Sequence, residues 1–97
     1  MKILITGFEP FGGESVNPAY EAVKLLPDMA GDIQIVKMEI PTVFGEAGKV
    51  VETGILQHQP DAVICVGQAG RRADIGVERV AINLAEASIP DNAGNQP

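Results

Sequence analysis

Among the side chains of types that do chemistry, four stand out because each lies beside an apolar run or a chain reversal: His58, Cys65, Gln68 and Glu78. Gln68 lies in the turn Gly67-Gln68-Ala69-Gly70, directly after the apolar run Ala62-Val63-Ile64-Cys65-Val66. Its amide both donates and accepts, which recognition of a lactam or peptide edge requires and which a tight turn also uses. Glu78 sits beside Arg79 in an otherwise apolar segment. Read plainly it is one half of a surface ion pair of little worth; read sharply it is a carboxylate that orients a catalytic imidazole. Cys65 and His58 are the only residues of their types, so a Cys–His nucleophile pair has to be weighed. The intervening residues, mostly extended at about 3.3 Å each, hold them roughly 15–20 Å apart. Cys65 is therefore expected to be a buried core thiol and His58 a solvated helix-end residue favoured by the helix dipole. One cysteine and one histidine make no zinc site, and no metal ligands are expected.

A second candidate is Gly7-Phe8-Glu9-Pro10-Phe11-Gly12-Gly13. It lacks the Gly-Lys-Ser/Thr ending of a phosphate loop and has neither the spacing nor the strand-turn-helix continuity of a dinucleotide fingerprint. The bland reading is a connector whose phenylalanines pack on the core. The functional one is a small apolar pocket walled by Phe8 and Phe11.

The elements that must position these residues follow from periodicity and breakers. Lys2–Thr6 reads as a strand stopped by Gly7. Asn17-Pro18 reads as an N-cap with proline in the first helical position, and Ala19, Ala22, Val23 and Leu26 recur at helical spacing until Pro27 ends the run. Gln34–Ile40 alternates as a second strand. Pro41-Thr42 opens a second helix with Val43, Phe44, Ala47, Val50, Val51 and Ile55 as its apolar positions. Ala62–Val66 is a third, buried strand, and Val77–Leu84 a fourth. From Ile89 to Pro97 the chain is turn chemistry with no terminal helix or strand to tie it down. The order predicts a mostly parallel sheet with helices on its faces, in which ligands bind outside the carboxyl ends of the strands.

Ninety-seven residues make at most one domain with one modest core. Seven Lys and Arg against thirteen Asp and Glu leave a net charge of −6, the wrong field for nucleic acid or an anionic membrane surface. No apolar run reaches membrane-spanning length, the start is too soon broken to be a signal peptide, and a lone cysteine makes no internal disulfide. A cytoplasmic protein is the default expectation.

Five motifs occur in order: GFEPFGG at 7–13, PTVF at 41–44, GQAG at 67–70, ERVAIN at 78–83 and IPDNAGNQP at 89–97. Together they closely resemble the amino-terminal part of the pyroglutamyl peptidase I (pyrrolidone-carboxylate peptidase) family, over essentially the whole chain. The resemblance implies a three-layer α/β/α sandwich, with residues 1–97 forming the amino-terminal part of a single peptidase domain. It also implies a cytosolic cysteine peptidase that takes an amino-terminal pyroglutamyl residue off peptides, uses no cofactor, and is commonly tetrameric. Glu78 matches the acid of the family's Cys–His–Glu triad. Phe8 and Phe11 match aromatic walls of the pyroglutamyl pocket, Thr42 and Ile89 further wall positions, and Asn17 and Gln68 polar residues beside it, with Gln68 against the lactam. The family's nucleophilic cysteine and catalytic histidine fall downstream of the residues present, so this stretch is expected to be inactive alone and to self-associate through its open sheet edge or an apolar face. The chain departs from the family pattern at Gly76, where serine or threonine is usual, and at Ser88, where arginine is common. The alternative reading is a non-catalytic α/β binding module for a small cyclic amide or acid.

Overall fold

The computed structural model describes residues 1–70 and 72–97. Its central element is β1 (Lys2–Phe8), flanked in a parallel ladder by β3 (Ile33–Ile40) and β4 (Ala62–Val66). A two-residue strand, β2 (Met29–Ala30), pairs antiparallel with β3, giving the sheet order β2-β3-β1-β4. The helices are α1 (Pro18–Lys24) and α2 (Glu46–His58).

Alternation along β1 assigns the helices to opposite faces. A Cβ built on Gly7 would meet the Tyr20 Cα of α1 at 2.6 Å. One on Gly54 of α2 would meet the Met38 side chain and, at 3.4 Å, Leu4 Cδ2. Leu4 and Gly7 point to opposite sides of the strand, so α1 and α2 sandwich the sheet as the α/β/α layering requires. Leu4, Ile5, Ala19, Val23 and Ile40 form the buried apolar core. Thr6 is fully buried among them, with no hydrogen-bond partner for its Oγ1 among the described residues.

Three local expectations are corrected. Gly7 does not stop β1; a residue without a side chain lets the α1 backbone approach, and the strand continues to Phe8. The second helix starts at Glu46, because Gly45 takes φ 81° and the Phe44 N–H donates outward to Asp91 Oδ2 at 2.7 Å. Val77–Leu84 forms no strand. Its apolar residues fit the pattern of a strand face, but a strand needs a paired backbone, and Val77, Val80, Ile82 and Leu84 stay 66–89% exposed.

Cys65 is a further correction: it is exposed. β4 pairs with β1 on one side only, so Val63 and Ile64 are open as well. The tail is also better anchored than its composition suggests. Ala87 N–H donates to Pro97 C=O at 3.1 Å, and Asn92 N–H to Thr42 C=O at 3.0 Å.

The two kinds of glycine separate in a stability measurement. Gly7→Ala drives a Cβ into helix backbone and is expected to cost about 1–3 kcal/mol. Gly48→Ala, in α2 with nothing within 4 Å of the new Cβ, is expected to stabilise by about 0.4–1 kcal/mol. Denaturant unfolding of both variants checks this, and an unchanged midpoint for Gly7→Ala would show that the helix rides clear of the strand.

Candidate functional site

The ladder register brings three strand ends level. Gly7 faces Glu39 and Val66, and Phe8 faces Ile40, so the chain leaves β1, β3 and β4 at one edge of the sheet. Phe8, Phe11, Asn17, Thr42, Gly67 and Gln68 there line a cavity of about 180 Å³. Five of the seven sequence candidates therefore meet in one place. The volume is small beside the ~300–1,000 Å³ of pockets for drug-sized ligands.

Asn17 has two duties. Its Oδ1 accepts from the Ala19 N–H at 2.9 Å, capping α1, and its Nδ2 donates to the Glu9 C=O at 3.1 Å. Thr42 Oγ1 donates to the same carbonyl at 3.0 Å. With its proton committed, the Thr42 hydroxyl is left to accept, whereas the Asn17 amide keeps a second N–H to donate. Half-buried Phe8 and Phe11 supply apolar walls, and Gln68 is exposed at the rim. Flat apolar walls with separate donors and acceptors suit a small ring carrying both N–H and C=O.

Phe8 and Thr42 also border a second, larger cavity of about 310 Å³, lined by Val43, Phe44, Gly45, Ala47 and Asp91. Asp91 organises its rim. Oδ2 accepts from Phe44 N–H (2.7 Å) and Asn95 Nδ2 (3.1 Å), and Oδ1 from Ala93 N–H (2.9 Å) and Asn95 N–H (2.8 Å). Desolvation opposes ionisation of this carboxyl, but the donors from Phe44, Asn95 and Ala93 outweigh it and hold it down to about 2. Asn92 Nδ2 donates to Glu9 Oε1 (3.1 Å) and to the Pro10 C=O (2.9 Å).

Glu9, Asp91 and Asn92 were not among the sequence candidates. For Asp91 the signal was present: an aspartate opening Asp-Asn-Ala-Gly captures backbone N–H groups a few residues ahead. Glu9 carries no such local mark.

Ile89 and Glu78 do not join the cavity. Ile89 is 53% exposed and lines neither hollow. Glu78 Oε1 lies 3.7 Å from Arg72 Nη1, with its side chain 84% exposed; the partner is Arg72 rather than Arg79. An exposed pair at that distance contributes little. Cys65 and His58 stand at opposite ends of the sheet. His58 is in the last turn of α2, where its C=O accepts from Lys2 Nζ at 2.9 Å, whereas Cys65 is in register with Thr6 near the far end of β1. Among the described residues no three His, Cys, Asp or Glu side chains gather as a metal site, and no helix is long and apolar enough to cross a membrane.

Residues 1–97 match the sequence model of the family described as pyroglutamyl peptidase. The chain belongs to the pyroglutamyl peptidase family. It is 63% identical over 97 residues to the pyrrolidone-carboxylate peptidases of Enterococcus faecalis and Thermosipho africanus, covering all of this chain and 46% and 47% of theirs. The crystal structure of pyroglutamyl peptidase I from Bacillus amyloliquefaciens superposes with a TM-score of 0.94 at 58% identity, over 99% of this chain and 47% of that one. The pyrrolidone carboxyl peptidase from Pyrococcus furiosus does so with 0.93 at 45% identity, over 100% and 47%. The chain thus spans about half the length of the pyroglutamyl peptidases it matches.

The Asp91 carboxylate makes a pH signature. Its folded pKa lies below its ordinary value of 3.8, at about 2, so the stability it contributes is complete above pH 3.8 and is lost as pH falls through 2. The melting-temperature gap between wild type and Asp91→Ala should be constant from pH 7 to 5 and narrow from about pH 4 to 2. A gap independent of pH would mean that the charge is not what binds the turn.

Proposed function

We propose that these residues supply the substrate pocket and the triad acid of a cysteine peptidase that removes amino-terminal pyroglutamyl residues from peptides. The observation that carries this reading is the convergence of Phe8, Phe11, Asn17, Thr42 and Gln68 on one small cavity in a chain of the pyroglutamyl peptidase family. In this reading the lactam ring lies between Phe8 and Phe11, its amide meets Gln68 and Asn17, and Thr42 completes the wall. The family resemblance assigns the nucleophilic cysteine and catalytic histidine to the segment downstream of these residues. There a thiolate attacks the carbonyl that follows the ring, and Glu78 holds the imidazole in its working tautomer. Exchanging the exposed Arg72 contact for an imidazole costs Glu78 little. The resemblance extends the proposal to a cytosolic homo-oligomer, a tetramer in the full-length enzyme.

A second reading, a non-catalytic binding module for a small cyclic amide or acid, draws on the separation of His58 from Cys65. A chromogenic pyroglutamyl substrate decides between the two. The full-length protein is expected to turn it over and residues 1–97 alone are not. Glu78→Gln in the full-length protein should lower kcat by at least about 100-fold with less effect on KM. Full activity in that variant would remove Glu78 from the triad, and an inert full-length protein that still binds pyroglutamate would favour the binding module.

A further inference from the structure

Glu9 lines neither cavity, yet two walls of the smaller one hydrogen-bond to it. Its N–H donates to the Ile40 C=O at 2.9 Å, carrying the β1–β3 ladder past Phe8. Its C=O accepts from Asn17 Nδ2 and Thr42 Oγ1 at 3.1 and 3.0 Å. Its Oε1 accepts from the Thr42 N–H at 3.2 Å and from Asn92 Nδ2 at 3.1 Å. Three separate pieces of chain are thereby fastened to one residue: the start of α1, the connection after β3, and the turn at 91–95. Phe8 precedes Glu9 directly, and Phe11 follows two residues on. Beyond Phe11 the loop contains Gly12 and Gly13, both at positive φ, so its own backbone has little stiffness to hold the ring in place.

We propose that Glu9 is a positioning residue that fixes the spacing of the Phe8 and Phe11 walls against Asn17 and Thr42, and so sets the selectivity of the cavity for a small flat cyclic amide. This rests on the reading of that cavity as the substrate pocket. Glu9 acts through its neighbours: the carboxylate holds Thr42 and Asn92 in place, and the backbone carbonyl aims the Asn17 amide. Both donors to Oε1 are N–H groups, so a neutral amide oxygen in the same place serves them too, although less strongly than a carboxylate.

The test uses the full-length enzyme carrying these residues. Glu9→Ala is expected to raise KM for a pyroglutamyl substrate, and the inhibition constant of free pyroglutamate, by about tenfold while kcat changes by less than about threefold. Glu9→Gln is expected to restore both constants to within about threefold of wild type. Asn92→Ala, which removes one of the two donors, should fall between them and provides the test if Glu9→Ala does not fold. A lower melting temperature with unchanged KM and inhibition constant in the Glu9→Ala or Asn92→Ala protein would overturn the assignment, since a purely structural brace changes the amount of active enzyme and not its affinity. Loss of kcat alone would overturn it as well. Absence of pyroglutamyl turnover in unsubstituted enzyme would instead defeat the substrate-pocket reading, and this assignment with it.

Discussion

Parallel pairing of β1 with a neighbour on each side is the constraint from which the rest follows. Because β1, β3 and β4 run the same way and end in register, every connection leaving them starts at the same edge of the sheet. A loop bearing two phenylalanines, a threonine and a glutamine between Gly67 and Gly70 come from distant parts of the chain, and the ladder brings their strand ends to one place. The core beneath is thin. Leu4 and Thr6 on one side and Gly7 on the other mark where α2 and α1 meet the strand, and closeness at Gly7 is possible only without a side chain. The hollow at the strand ends is thus a product of topology first and of side-chain choice second.

Much of this was legible in the residues. The three parallel strands showed as short β-branched runs, α1 showed in Asn17-Pro18, and the α/β class showed in the alternation of the two. Phe8, Phe11 and Gln68 stood out by residue type and loop position, the family resemblance added Asn17 and Thr42, and all five line the smaller cavity. What could not be read was anything that depends on a distant backbone partner. Val77–Leu84 has a strand's composition but no ladder to join. Cys65 sits in an apolar run that, as an edge strand, stays open to solvent. Gly7 looked like a terminator because a glycine's role as a helix contact is visible only once the helix is placed. Glu9 and Asn92 meet across more than eighty residues, beyond the reach of any local pattern.

The exposed apolar residues divide the molecule into a finished and an unfinished side. Around β1, α1 and the Glu9 network, Leu4, Ile5, Ala19, Val23 and Ile40 are covered, and the Asn17, Thr42 and Glu9 polar groups find partners. Along β4 and through 75–84, Ile64, Ile75, Val77, Val80, Ile82 and Leu84 are largely bare, a density of apolar surface that marks a contact face in soluble proteins. Both Glu78 and Ile89, the candidates that stand apart from the cavity, lie on or just after this bare stretch. Their distance from the other five belongs to the same physical situation: nothing among the described residues presses that segment against the strand ends.

Asn17 draws the two sides of the site together. One amide group begins α1 with its oxygen and holds the Glu9 carbonyl with its nitrogen, in a residue that lines the hollow. A guest held by Asn17 would therefore be thermodynamically coupled to the helix start, each favouring the other by the same free energy. That leaves the position little freedom to drift: a residue chosen to suit a different guest would also have to begin α1, and one that merely begins α1 would present the guest with different chemistry.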